Sequence, residues 1–280
     1  MHSNQSESLF DKLTRLVTVD GLCTPLGPAL LGEELIEEAV HRLHENAISC
    51  GYDPVDRVLL VFSNGKLQGW TRFDFLSLSE NRRVKDETLA FGECQIVSSN
   101  TSVMSIVHLF RESNEQLFFV VSGNVICGTV RYADLFSQEF RLCLFALSLE
   151  LEEASLRRLI VLPEDSFAFL SEPRQEAAKN VFDLRYPGRQ MDFHTLLKCT
   201  TFIDKGTMII KSKAVNSYSS SQLKNSFSRI ERIRNHCAHP SGNKSEWLML
   251  SQPAILAETI STVNSLIEEL DQFKLRIPSK

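Results

Sequence analysis

The sequence predicts an α/β first half followed by an all-helical second half. Three observations carry this reading. A helix–strand–turn–strand unit occurs twice before residue 137, a long amphipathic helix begins just after it, and no convincing strand pair appears beyond. The length of 280 residues suits two domains of roughly 100–200 residues each. A composition of 43% hydrophobic, 23% charged and 9% aromatic residues excludes wholesale disorder, collagen-like repeats and a pure coiled coil. The expected domains are 1–137 and 138–280.

The first unit opens with an amphipathic helix over Leu30–Ala47, with Leu31, Leu35, Ile36, Ala39, Val40 and Leu43 at helical spacing. A strand over 57–62, a turn signal at Ser63, Asn64, Gly65 and Lys66, and a return strand over 67–71 follow. The second unit repeats the order: a helix over Ser102–Arg111, a strand over 116–121, a turn at 122–124 and a strand over 125–130. Asp74 closes the first unit and Asp134 the second, 60 residues apart, which indicates internal duplication.

Beyond Ser137, residues Phe140, Leu144, Leu147, Leu151, Ala154 and Leu159 mark one long helix ended by Pro163. Further helices are expected at 173–181, 192–211, 220–238 and 252–274, with a polar loop over 211–221.

The N-terminus lacks the basic start and apolar core of a signal peptide, and apolar runs fall short of the roughly 20 residues that span a bilayer. The seven cysteines are odd in number and scattered, with no CxxC pair, which argues against a disulfide framework and a cysteine zinc site. A cytoplasmic protein without a membrane partner is expected.

The duplicated unit resembles the CBS domain, a regulatory module of about 60 residues used as a tandem pair. Its closing pattern is Gly, two residues, Thr or Ser, two residues, Asp. The first copy carries Thr71 and Asp74 with Gln68 at the glycine position; the second carries Gly128 and Asp134 with Arg131 at the hydroxyl position. The resemblance implies a regulatory adenine nucleotide or similar ligand held by Thr71, Asp74, Arg131 and Asp134. The carboxylates would accept from ribose hydroxyls, and Arg131 would face a phosphate.

In the second half the sharpest string is Arg234-Asn-His-Cys-Ala-His239, before Pro240. Proline disfavours helix at the preceding residue, so His239 should lie where the helix unwinds. Arg234 and His239, about 140° apart around a regular helix, converge only through that unwinding or across a two-fold axis. His236 and His239 have the i, i+3 spacing of metal ligands, but no carboxylate or cysteine cluster accompanies them, and no metal site is expected.

The string is similar to the signature of HEPN domains, which are helical bundles with the motif late in the chain. The predicted fold class is thus an α/β CBS pair joined to an all-α HEPN bundle. The resemblance implies a metal-independent endoribonuclease with a composite site in a homodimer and no required cofactor. His239 would serve as acid–base, Arg234 would stabilise phosphorane charge, and Asn235 would orient the imidazole or hold the sugar. His236, Lys224 and Arg232 are the expected RNA-binding residues.

The formal charge of −5 does not suggest a nucleic-acid binder, yet residues 198–246 hold nine cations and three anions, net +6, leaving −11 elsewhere. Tyr218 and Phe227 are candidates for base stacking. Two further readings stand beside the ribonuclease. One is a non-catalytic nucleotide sensor whose helical domain binds RNA or a partner protein. The other is the toxin-like half of a two-protein system with an antitoxin partner.

Overall fold

Two hairpins organise the α/β half. In the first, β3 (Val58–Ser63) turns into β4 (Lys66–Arg72) through Asn64 and Gly65, at φ 50° and 72°. Asn-Gly supplies this left-handed pair at little steric cost, and the resulting turn matches the strands' twist. In the second, β6 (Leu117–Ser122) returns as β7 (Val125–Arg131) past Gly123 at φ 60°. The computed structural model describes residues 9–50, 53, 57–76, 82–92, 95–113, 115–238 and 252–272.

Each hairpin gains a parallel strand and a helix from its own copy. β2 (Leu30–Leu31) lies beside β3 and leads to α3 (Ile36–Cys50); β5 (Ile96–Ser98) lies beside β6 and leads to α5 (Val103–Ser113). The expected helix over 30–47 therefore begins six residues later, because Leu30 and Leu31 are taken up by the sheet.

The segments leading into each copy are exchanged. Before the first copy run α2 (Val19–Leu22) and β1 (Thr24–Pro25), yet β1 pairs with β7 of the second copy. Val19 N and Asp20 N donate to Thr101 O and Ser99 O at 2.9 and 3.1 Å. Before the second copy runs a 3₁₀ turn, Val84–Glu87, whose Val84 N and Lys85 N donate to Glu34 O and Gly32 O of the first copy, both at 3.1 Å. Leu89 then exchanges two backbone hydrogen bonds with Trp70 on β4. The two copies are thus intertwined in a pseudo-symmetric pair.

Strand register aligns the copies. Val58 faces Arg72 as Leu117 faces Arg131, and the ladder shifts between Val61 and Phe62 as it does between Val120 and Val121. These pairs stand 59 residues apart, one fewer than the aspartates. Gly69, not Gln68, is therefore the counterpart of Gly128, and Arg72, not Thr71, is the counterpart of Arg131. The extra residue lies after the strand: Asp74 closes α4 (Phe73–Leu76) two residues past Arg72, whereas Asp134 lies three past Arg131, in the 3₁₀ turn Tyr132–Phe136.

The first copy's own core packs α3 and α4 on one sheet face through Leu30, Ile36, Ala39, Leu43, Leu59, Val61, Phe73 and Leu76. A second cluster on the other face draws on both copies: Val58 and Trp70 from the first, Leu117 and Phe119 from the second. The Trp70 and Phe119 rings meet edge to face at 5.6 Å.

The second unit is helical throughout its described residues. α6 (Gln138–Ile160) is its spine, burying Phe140, Cys143, Leu144, Leu147, Leu151 and Ala154. α1 (Leu9–Leu16) packs on α6, so this helix, placed by sequence in the first half, belongs to the helical unit; the compact units are 17–137 and 1–16 with 138–280. α7 (Glu172–Arg185) follows. The helix expected over 192–211 divides into α8 (Phe193–Lys198) and α9 (Phe202–Lys211). Thr201 starts α9 afresh, its hydroxyl accepting from Asp204 N at 3.3 Å while the Asp204 carboxylate accepts from Thr201 N at 3.0 Å. α10 (Ser220–Ala238) and α11 (Pro253–Gln272) also pack on α6.

Candidate functional site

The close crossing of the exchanged segments depends on the two equivalent glycines. A Cβ at Gly69 would lie 2.1 Å from Leu89 O, and one at Gly128 would lie 2.2 Å from Cys23 Sγ and 2.5 Å from Thr24 O. Only glycine lets the backbones meet there.

Three residues after each glycine stands an arginine opposite a member of the cluster shared by both copies: Arg72 opposite Val58, Arg131 opposite Leu117. Each is paired with the aspartate of its own copy. Arg72 Nη2 lies 3.1 Å from Asp74 Oδ2, and its guanidinium sits 5.6 Å from the Phe75 ring centroid. Arg131 Nη2 lies 3.2 Å from Asp134 Oδ1, while Asp134 Oδ2 accepts from Arg131 N at 2.8 Å. The first pair is the more open: the side chains of Arg72 and Asp74 are 42% and 43% exposed, against 34% and 15% for Arg131 and Asp134.

A guanidinium beside a carboxylate suits a ligand carrying both an anion and a diol. Phosphate oxygens can take over the arginine while vicinal hydroxyls donate to the aspartate, so neither half of the separated ion pair is left without a partner. The sequence reading missed Arg72. Its signal was the 59-residue strand register, hidden behind the 60-residue spacing of the aspartates.

Thr71 does not fill the role expected of it. Strand alternation turns it away from Arg72, opposite Leu59 and into the first copy's core, where it is fully buried. Its hydroxyl and the Trp70 indole N–H have no hydrogen-bond partner among the described residues.

In the helical unit, Arg234 is held rather than displayed. Its Nη2 lies 2.9 Å from Glu152 Oε2 on α6, and its guanidinium sits 5.8 Å from the Phe202 ring centroid on α9. The other Glu152 oxygen accepts from buried Lys205 Nζ at 3.0 Å, and Lys205 also donates to Thr200 O at 2.7 Å. Gly206 brings α9 against α10: a Cβ there would lie 2.7 Å from the Phe227 ring. The Arg234 Nε donor has no partner among the described residues.

The rest of the motif separates around α10. Asn235 is exposed, about 100° from Arg234, and His236 is 5% exposed, so it does not line a surface as expected of an RNA contact. Burial pushes the Cys237 thiol up to about 12, against the opposing influence of Arg141, which leaves it protonated at neutral pH. His239 lies outside the described residues. Lys224 and Arg232 are exposed on α10, as an RNA-facing role requires.

The basic segment is partly neutralised. Lys205 and Arg234 share Glu152, and Arg229 lies 4.0 Å from Glu258. Lys198, Lys213, Lys224 and Arg232 keep exposed positions, and Lys244 lies outside the described residues. Phe227 is core, 2% exposed, because it fills the α9–α10 crossing; Tyr218 lines a cavity of about 220 Å³ with Gln222, Asn225, Arg229 and Glu258. Among the described residues no group of three or more His, Cys, Asp or Glu side chains could hold a metal, and no helix is long and apolar enough to cross a membrane.

No family model matches the sequence, and no curated protein does. Solved structures similar to the chain are CBS domains, matched over about half of it. The CBS domain of a bacterial CNNM/CorC family Mg2+ transporter in complex with ATP is 17% identical, covering 47% of this chain and 92% of that one, with a TM-score of 0.34. The CBS domains of a transcriptional regulator from Streptococcus pneumoniae are 13% identical over 43% and 97%, with a TM-score of 0.32. The cytosolic domain of the Mg2+ channel MgtE in complex with ATP is 20% identical over 45% and 50%, with a TM-score of 0.34.

Proposed function

We propose that the protein is a nucleotide sensor, binding an adenine nucleotide at the α/β pair and acting on RNA through its helical unit. The observation that carries the sensing role is the pair of equivalent ion pairs, Arg72–Asp74 and Arg131–Asp134, at the same register of an intertwined duplicate. A nucleotide offers a phosphate to the arginine and a ribose diol to the aspartate. The CBS-like motif supports the same ligand class. Thermal unfolding with and without ATP, ADP or AMP tests it. Ligand at 100 times its Kd stabilises the native state by about 2.7 kcal/mol, which raises the midpoint measurably.

The output role rests on the HEPN-like string. The RNA 2′-hydroxyl would attack the adjacent phosphorus, His239 would take its proton or protonate the leaving 5′-oxygen, and Arg234 would carry the phosphorane charge. The products are a 2′,3′-cyclic phosphate and a 5′-hydroxyl. Two chains would each contribute such a string to one cleft of a homodimer.

The bond from Arg234 to Glu152 favours a second reading, in which the helical unit binds RNA or a partner protein without cleaving it. Incubation with labelled RNA in EDTA separates the two. Cleavage that is lost in His239→Ala supports the nuclease. Binding without cleavage, under every nucleotide tried, supports the non-catalytic reading.

A further inference from the structure

We propose that Cys23 and Cys127 are a redox-modification site, closing a reversible disulfide when the protein meets a hydroperoxide. Val120 pairs with Gly128 and Val121 with Ile126, which leaves Cys127 as the extra residue of a β-bulge. A bulge re-aims the side chain of the added residue. Cys127 is exposed, and its Sγ lies 3.2 Å from Val120 O, beside the Gly128 pairing. Cys23 arrives at Gly128 from the exchanged segment: its Sγ stands only 2.2 Å from where a Gly128 Cβ would be. The absent side chain is thus the space that brings one sulfur to the strand residue next to the other.

The two thiols hydrogen-bond. Burial, and then Cys127, push the Cys23 thiol up to about 12. The equivalent positions of the first copy hold Gln68 in the bulge and Thr88, whose methyl would lie 2.7 Å from a Gly69 Cβ. The thiol pair therefore belongs to the second crossing alone.

Exposure assigns the order of events, since the accessible sulfur meets the oxidant first. The Cys127 thiolate attacks one oxygen of hydrogen peroxide; the O–O bond breaks, leaving a sulfenic acid at Cys127 and a hydroxide that is protonated to water. Cys23 sulfur then attacks the sulfenyl sulfur, the S–S bond forms, the S–O bond breaks, and the departing hydroxide takes the Cys23 proton as a second water. Two thiols and one peroxide give one disulfide and two waters. The link would tether β1 to β7, the strand that runs into Arg131.

The full chain, treated with equimolar hydrogen peroxide, alkylated and digested without reductant, tests this by mass spectrometry. The expected product is a peptide pair joining Cys23 to Cys127, lighter by two hydrogens, absent after dithiothreitol and absent when oxidation is done in urea. Cys127→Ser should lose the linked peptide while keeping the wild-type melting temperature, because the side chain is exposed. Cys23→Ser should stop the reaction at the Cys127 sulfenic or sulfinic acid. Cys127 reaching sulfinic acid in the wild type with Cys23 still alkylated, or a link to another cysteine instead, would overturn the proposal.

Discussion

Glu152 holds Arg234 with one carboxylate oxygen and Lys205 with the other, at 2.9 and 3.0 Å. One acidic side chain on α6 thereby fixes cations from α9 and α10. Removing it should be worse than removing either cation. Glu152→Ala leaves a lysine that is 2% exposed without its carboxylate and should cost on the order of 3 kcal/mol. Arg234→Ala leaves Glu152 paired with Lys205 and should cost about 1 kcal/mol. Urea denaturation midpoints rank the two, and an Arg234→Ala protein as unstable as Glu152→Ala would contradict the shared-acid arrangement.

The exchanged segments depend on Gly69 and Gly128. Gly69→Ala places its methyl within 2.1 Å of Leu89 O, and a carbonyl in a paired backbone cannot move aside cheaply. A loss of about 2 kcal/mol or more is expected, by overpacking and by breaking the Trp70–Leu89 bonds. Gly21→Ala is the control, since its Cβ meets nothing within 4 Å. Equal unfolding midpoints for the two variants would count against the close crossing.

The two-part architecture was legible because hairpin turns and helical periodicity are local signals. Asn64-Gly65, Gly123 and the apolar stripe of α6 each announce their element without reference to the rest of the chain. The exchange of segments was not legible. β1 and Leu89 are too short for periodicity, and their partners lie about a hundred and nineteen residues away in sequence, respectively, on β7 and β4. Thr71 was misplaced for a related reason: a one-residue change of register sends a side chain to the opposite face, and only the observed ladder reveals it. In the helical unit the motif string marked Arg234, but nothing in its spacing disclosed that Glu152 would be its partner.

Asp192 gives a pH signature. Its carboxylate accepts from Thr195 Oγ1 at 2.7 Å and Thr195 N at 2.8 Å, and these bonds hold it below the ordinary 3.8. A depressed folded-state pKa means the stabilisation is fully present above the unfolded value and disappears as pH falls through the folded one. The stability gap between wild type and Asp192→Ala should therefore be constant near neutrality and shrink below about pH 4. Urea midpoints measured from pH 7 downward check this; a gap that persists unchanged in acid would refute the cap's role.

Lys224 and Arg232 are exposed on α10 and should contribute to RNA binding without supporting the fold. The Lys224→Glu, Arg232→Glu double variant should melt like wild type but bind single-stranded RNA more weakly. Each lost phosphate contact lowers the slope of log affinity against log salt by about 0.7. Filter binding across a salt series measures the slope, and an unchanged slope would remove this face of α10 from the RNA surface.

The central claim is that the two arginine–aspartate pairs receive an adenine nucleotide, and isothermal titration of ATP and AMP into the full chain tests it most directly. Saturable binding is expected in the wild type. Arg72→Ala should weaken it by tenfold or more, equivalent to about 1.4 kcal/mol, with the melting temperature of the unliganded protein preserved because the side chain is 42% exposed. No heat with any adenine nucleotide, or an affinity indifferent to Arg72→Ala, Arg131→Ala and their combination, would contradict it.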